Sequence, residues 1–271
     1  VEEAASVRRL RTSDVDDGMD VLVSAFGAGS VGGSRVPMTA EPHKWLIAHV
    51  DGAAAGVVTS NAYGSVAYVA MLAVHEGYRR RGVATTVMTR LMDDLAAEGV
   101  ATILLDATAH AESLYRSLGF RETDRTRIFV RPAPAPAGDA SPQVTDDVLA
   151  RAIRFDATVY GCDRSELLRR FARFPYAFAA VEDGGFAMTR GPVVGPFAAN
   201  DAATATRLID LALRHRPHIE RAFAPASNPH AERVFERHGF ACGRSIAHME
   251  FGAPSPLRRD RIYSQASLGH G

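Results

Sequence analysis

Arg79-Arg80-Arg81-Gly82, followed by Val83-Ala84-Thr85, are the residues whose types and order speak most directly of chemistry. They stand between an apolar run that ends in Met71-Leu72-Ala73-Val74 and a stretch in which Val83, Val87, Leu91 and Leu95 recur every four positions. Asp93, Asp94 and Glu98 fall on the other face of that stretch, and Gly99 closes it, the pattern of an amphipathic helix with a glycine C-cap. A strand, a basic loop and a helix start in this order make an anion site. The first N–H groups of a helix have no internal partner, and the helix dipole favours negative charge beside them. Gly82 lets backbone come close to a ligand, the small Ala84 keeps the helix entrance open, and the arginines add charge. A pyrophosphate suits such a site. A run of arginines alone would read as a solvated basic patch; its place between a buried strand and the first turn of a helix argues for the site. Neither a Gly-Lys-Ser/Thr phosphate loop nor a GxGxxG dinucleotide fingerprint is present.

The elements that hold this loop follow from the spacing of apolar residues and turn signals. A strand is expected near Val7–Leu10, a helix from Asp14, and a Gly/Ser-rich loop over Gly27–Ser34. Strands then run over Trp45–Val50 and, after the Asp51-Gly52 turn, Gly56–Ala62. A strand at about Val66–Val74 and a helix from Val83 flank the basic loop. A buried strand at Ile103–Leu105, a helix near Ala111–Leu118 and a strand near Arg127–Val130 complete the first half. Helices alternate with strands, so the class is α/β, or α+β.

The chain has 271 residues, long enough for two domains. Lys+Arg and Asp+Glu both number 31, so no global basic excess points to nucleic acid or an anionic membrane. No apolar stretch reaches the ~18 residues that span a bilayer. The two cysteines, Cys162 and Cys242, are too few for a disulfide framework and suit a reducing cytoplasm as free thiols. The segment RPAPAPAG from Arg131 to Gly138 cannot continue a helix or a central strand and reads as a spacer. The expected domains are therefore 1–131 and 143–271, joined by a Pro/Ala-rich linker at 132–142.

The two halves resemble each other. Thr12-Ser13-Asp14 and Thr145-Asp146-Asp147 both read as helix starts. Near the end of each half, His110, Ala111, Glu112, Gly119 and Phe120 recur 120 positions later as His230, Ala231, Glu232, Gly239 and Phe240. Matching openings and endings argue for tandem copies of one fold.

Arg79-x-x-Gly82-x-Ala84 at a strand–loop–helix junction, with a downstream strand at Ile103–Leu105, Tyr115 and Gly119-Phe120, resembles the GNAT superfamily of acyl-CoA N-acyltransferases. The resemblance covers most of residues 7 to 131, and the tandem arrangement is similar to that of YitH-like acetyltransferases. It implies two GNAT-like domains, each a mixed, mostly antiparallel twisted sheet flanked by helices. It also implies an acetyl-CoA-dependent N-acetyltransferase that acts on a primary amine of a small molecule or amino-acid-like acceptor by direct attack in a ternary complex. Acetyl-CoA would lie between the strand ending at Val74 and the strand at Ile103–Leu105. Backbone groups of Leu72, Ala73 and Val74 would hold the pantetheine arm and polarise the thioester carbonyl. N–H groups from Arg79, Arg80, Arg81, Gly82, Val83, Ala84 and Thr85 would take the pyrophosphate. Tyr115 would sit near the sulfur and protonate the departing thiolate, or else be an interfacial tyrosine. No metal is called for. The rival reading is a non-catalytic acyl-CoA-binding sensor or interaction protein.

An ammonium acceptor must lose a proton before attack, so a general base is expected. Many relatives carry a Glu on the strand before the loop; here Tyr68 to Leu72 offer no carboxylate. The candidates are Glu41, His43, His75, Asp106 and His110, each with the alternative of a surface or helix-cap role. Thr108 stands where many relatives have an Asn, and could hydrogen-bond the pantetheine.

In the second half Gly191-Pro192-Val193-Val194-Gly195-Pro196-Phe197 replaces the basic loop, and Asp201 is expected to cap the next helix. A carboxylate there competes for the N–H groups a pyrophosphate would use. Phe235 stands in the place of Tyr115, and Asn228 in that of Thr108. This copy is expected neither to catalyse nor to bind CoA, though it could shape the acceptor site. His215, His218 and His270 form no convincing ligand set. Phe171, Phe174, Tyr176 and Phe178 read as core. The segment Ile262–Gly271 reads either as a strand folding back or as an insertion near the active site. The expected partner is a small amine, with no nucleic acid or membrane, and the chain is expected to be a cytoplasmic monomer or homodimer.

Overall fold

The computed structural model describes residues 5–136 and 140–271. Residues 1–4, and 137–139 within the expected linker, lie outside the described residues. The chain forms two compact units, each drawn from several stretches of sequence: Val1–Leu105 with Ala111–Arg121 and Phe251–Ala253, and Asp106–His110 with Glu122–Glu250 and Pro254–Gly271.

In the first unit the elements are β1 (Ser6–Arg9), α1 (Val15–Phe26), α2 (Ala28–Val31), α3 (Arg35–Ala40), β2 (Trp45–Val50), β3 (Ala53–Tyr63), β4 (Val66–Val74), α4 (Val83–Ala97), β5 (Thr102–Ala107) and α5 (Glu112–Ser117). The sheet runs β1-β2-β3-β4-β5. The first four strands are antiparallel, and β5 runs parallel to β4. Asp51 and Gly52 both have positive φ, 51° and 80°, as a two-residue hairpin requires. Val15, Met19 and Leu22 of α1 pack with Trp45, Ile47 and Val57 on one face of the sheet. The apolar stripe of α4, Val83, Val87, Met88, Leu91 and Leu95, is buried as its spacing predicts. Gly99 ends α4 at φ 83°, with Val100 N–H donating to the Leu95 carbonyl at 3.0 Å.

The Gly27–Ser34 segment departs from its sequence reading. It is not an open loop but α2 followed by a 3-10 turn at Gly32–Ser34 that leads into α3. Val31 and Met38 are buried in the core beside α1, and this burial outweighs the poor helix propensity of glycine and serine.

The second unit contains β6 (Arg121–Val130), α6 (Asp146–Tyr160), α7 (Ser165–Phe171), β7 (Phe178–Glu182), β8 (Gly185–Arg190), β9 (Val193–Ala199), α8 (Ala202–His215), β10 (Arg221–Pro225), α9 (Ala231–Arg237), β11 (Ala241–Gly252) and β12 (Ile262–Ser264). Its sheet order is β11-β6-β10-β9-β8-β7, with β12 on β9. The succession β7-β8-β9-α8-β10-α9-β11 repeats β2-β3-β4-α4-β5-α5-β6, so the resemblance between the halves is one of fold. Phe197, Phe235, Phe240, Leu208 and Ile209 fill its core. Phe171 and Phe178 are buried as expected, whereas Phe174 is 36% exposed.

Candidate active site

The basic loop is built by two unusual backbone positions. Arg80 adopts φ 62° and Gly82 φ 75°, so the chain reverses twice before entering α4. Gly82 is the N-cap of α4 and gives it no side-chain cap, and no acidic residue occupies the first turn. A Cβ placed on Gly82 would meet nothing within 4 Å, so the space over the helix entrance is open. Arg79, Arg80 and Arg81 are exposed beside it. Arg81 stacks over Tyr78 with 5.7 Å from its guanidinium carbon to the ring centroid. Val83 anchors the helix start against β3, where a Cβ on Gly56 would come within 2.8 Å of the Val83 side chain.

β4 carries a bulge next to this loop. Val57 pairs with Ala73 and Thr59 with Ala70, leaving Met71 and Leu72 opposite one residue. Met71 has φ 54°, a left-handed conformation rare for a non-glycine residue and costly unless the surroundings enforce it. The parallel partnership of β4 and β5 covers Val66–Thr102, Ala67–Ile103 and Tyr68–Leu104, and stops there. Beyond Tyr68, β4 keeps only its β3 partner, so backbone groups on the β5 side are left without a ladder. Leu72 and Val74 are partly exposed and Ala73 is buried.

Tyr115 lies on α5, 7% exposed, with its ring edge-on to Phe120 at 5.7 Å. Burial pushes its hydroxyl up to a pKa of about 12, which keeps it a proton donor at neutral pH. The candidate bases are scattered. Glu41 is ion-paired with Lys44. His43 is exposed, and its carbonyl accepts from Arg9 at 3.1 Å. His75 Nδ1 accepts from the Gly77 N–H at 3.2 Å and caps the short turn before the arginines. His110 is exposed in a turn, and Thr108, just after β5, is exposed too. The Asp106 carboxylate is sealed from solvent; it accepts from the Thr126 hydroxyl at 2.5 Å and from His248 Nδ1 at 3.1 Å. His248 was not legible as a polar-network residue, because it joins Asp106 from 142 positions away.

The matching region of the second unit is closed. Asp201 caps α8, and its carboxylate accepts from the Thr204 N–H at 2.8 Å. β9 and β10 are parallel and meet at Val193–Arg221. Farther along, β12 fills the opening. Ile262 and Ser264 pair with Ala198 and Phe197 of β9. Ser264 Oγ accepts from the Phe223 N–H of β10 at 2.8 Å, and the Gln265 N–H donates to the Phe223 carbonyl at 2.8 Å. Asn228 ties this strand down by donating to the Ile262 carbonyl at 2.9 Å. Of the two readings open for Ile262–Gly271, its first residues take the strand. Phe235 repeats the placement of Tyr115, edge-on to Phe240 at 5.3 Å, but brings no hydroxyl.

Among the described residues, no group of three or more His, Cys, Asp or Glu side chains could hold a metal ion. No helix among them is long and apolar enough to cross a membrane. Cys162 and Cys242 are both free thiols.

Sequence profiles described as acetyltransferase (GNAT) domain match residues 33–130 and, separately, residues 152–264. The chain therefore belongs to the GNAT acetyltransferases, with two such domains in tandem, and is an N-acetyltransferase. No functionally curated protein matches it. Among solved structures, a proposed acetyltransferase from Pyrococcus horikoshii aligns over 100% of this chain and 97% of its own, with a TM-score of 0.81 and 20% identity. A GCN5-related N-acetyltransferase from Kribbella flavida aligns over 92% and 72%, with a TM-score of 0.63 and 16% identity. One from Sphaerobacter thermophilus aligns over 93% and 97%, with a TM-score of 0.62 and 15% identity. At these identities the likeness is one of fold.

Proposed function

We propose that the first unit binds acetyl-CoA and transfers the acetyl group to a primary amine of a small or amino-acid-like acceptor by direct attack in a ternary complex. The observation that carries this reading is the open, uncapped start of α4 behind Arg79-Arg80-Arg81, next to the bulge of β4. The N–H groups of Val83, Ala84 and Thr85 would bind the pyrophosphate. Backbone groups of Leu72, Ala73 and Val74, freed where β4 leaves β5, would align the pantetheine and receive the charge that develops on the thioester oxygen. Acetyl-CoA supplies an activated acyl group whose leaving thiol has a pKa of about 8.5, so a neutral phenol such as Tyr115 can return its proton. Direct attack on a thioester needs no metal ion.

The second unit is proposed to be non-catalytic, because Asp201 takes the helix N–H groups and β12 takes the opening between β9 and β10. The balanced charge supports a small-molecule acceptor over nucleic acid or a membrane surface, and the free thiols support a cytoplasmic setting, as monomer or homodimer. Calorimetric titration with acetyl-CoA, followed by a thiol-release assay across a panel of primary amines, tests the reading. One binding site per chain and CoA release with a subset of amines are expected; no heat with acetyl-CoA would overturn it.

A further inference from the structure

The second unit buries Arg164 and Arg216 and half-buries Arg190. Arg164 is fully partnered: Asp156 accepts from it at 2.7 and 3.0 Å, and the carbonyls of His270 and Gly271 accept from its Nη1. Arg216 is satisfied by the carbonyls of Tyr176, Ser141 and Ala177. Arg190, at the end of β8, is different. Its Nε is sealed from solvent with no hydrogen-bond acceptor, and among the described residues no carboxylate pairs with it.

Its surroundings are aromatic and cationic. The Arg190 guanidinium carbon lies 4.6 Å from the centroid of Phe171 and 5.6 Å from that of Phe174. Arg170 approaches the same Phe171 ring at 5.9 Å. Arg170 Nη2 is 3.2 Å from His270 Nε2. A guanidinium can only donate, so that ring nitrogen is the acceptor and Nδ1 carries the proton toward Ser267 Oγ at 2.7 Å. His270 therefore brings no negative charge. Burial and the nearby Arg170 both lower the pKa of Arg190. Stacking on aromatic rings recovers part of the desolvation cost of a guanidinium but does not neutralise it.

Two guanidinium groups on one phenyl ring, one of them without an acceptor, form half of an oxyanion clamp. We propose that Arg190 and Arg170 bind a small oxyanion, a carboxylate or a phosphate, with Phe171 and Phe174 as its apolar wall. The site is separate from the loop at Gly82 and belongs wholly to the second unit. It gives that unit a ligand of its own, although its acyl-CoA opening is filled.

The sealed Arg190 Nε–H exchanges slowly with water, so its nitrogen–proton resonance is a local probe. Titration of the full-length chain with inorganic phosphate, and separately with sodium acetate, at ionic strength held constant with chloride, reads the site without interference from the loop at Gly82. A saturable shift of the Arg190 signal is expected with at least one of the two ions. Saturation by phosphate marks a phosphoryl ligand and saturation by acetate a carboxylate ligand. Arg170→Met should weaken that binding at least tenfold. Arg190→Met should melt no lower than the wild type without the anion and should lose the extra stability the anion confers. No shift with either ion, equal shifts with chloride, or an unchanged affinity in Arg170→Met would overturn the proposal.

Discussion

Gly82 and Asp201 are the N-caps of corresponding helices, and they treat the first-turn N–H groups in opposite ways. Gly82, at φ 75°, leaves those of α4 without a side-chain cap, while Asp201 accepts from the Thr204 N–H of α8 at 2.8 Å. The positive end of one helix thus faces open space behind arginines, and that of the other is already satisfied by a carboxylate. One residue at each helix entrance separates a helix start left open to solvent from one whose first-turn N–H is already held by a carboxylate.

Gly82→Glu should abolish acetyl-CoA binding. The side chain enters the open space over α4, its carboxylate competes with the pyrophosphate, and φ 75° is unfavourable for any non-glycine residue. A loss of at least a hundredfold in affinity by calorimetry is expected, with the circular dichroism spectrum retained. Unchanged affinity would put the cofactor elsewhere.

Asp201→Ala should act on stability alone. Removing an N-cap of this kind costs about 1 kcal/mol. The cap hydrogen bonds hold the Asp201 carboxyl below its ordinary pKa, so its contribution is present above the ordinary carboxylate range and fades as pH falls through the depressed value. Urea unfolding should show the second unit weakened at pH 7 and less so in acid, with the acetyl-CoA affinity of the chain unchanged. A gain of a second acetyl-CoA site would refute the role given to β12.

The strand–loop–helix around Gly82 was legible because each feature is local: the Val83-Val87-Leu91-Leu95 period, the breaker Gly99 and the arginines lie within a few turns of one another. The left-handed Met71 and the end of the β4–β5 ladder were not, since they depend on register between strands rather than on residue type. The same limit hid the partner of β12: a strand was one of the readings open for its residues, but Ile262 and Ser264 pair with residues more than sixty positions away. It also hid the union of Asp106 with His248. Helix α2 was missed for another reason: local propensity argued for a loop, and burial of Val31 and Met38 overrode it.

Tyr115→Phe should lower kcat by ten- to a hundredfold with KM for acetyl-CoA nearly unchanged, the signature of an interaction used in the transition state. The Tyr115 hydroxyl has a pKa of about 12, raised by burial from 10.0, so it stays protonated through the working range. The pH–rate profile of the wild type should accordingly show no loss of activity from this group below about pH 10. The raised value also sets a stability sign: the unfolded chain ionises this tyrosine first, so its contribution is complete below 10.0 and lost as pH rises toward 12. Equal kcat in the two proteins would leave Tyr115 with packing alone.

Gly195→Ala tests how tightly the second opening is filled. A Cβ on Gly195 would come within 2.0 Å of the Gln265 carbonyl oxygen and 3.2 Å of Ser264 Oγ. The first of these is backbone and cannot move aside as a side-chain tip would. Either β9 shifts or the segment after β12 is pushed out, and overpacking of this kind costs about 1–3 kcal/mol or more. Because Ser264 Oγ accepts from Phe223 and the Gln265 N–H donates to the same residue, displacement breaks both hydrogen bonds to β10. Hydrogen exchange at the Phe223 and Gln265 amides should accelerate in Gly195→Ala while exchange in α4 of the first unit stays as in the wild type. Unaltered exchange at both amides would mean that β12 is not wedged between β9 and β10 as tightly as the close approach at Gly195 requires.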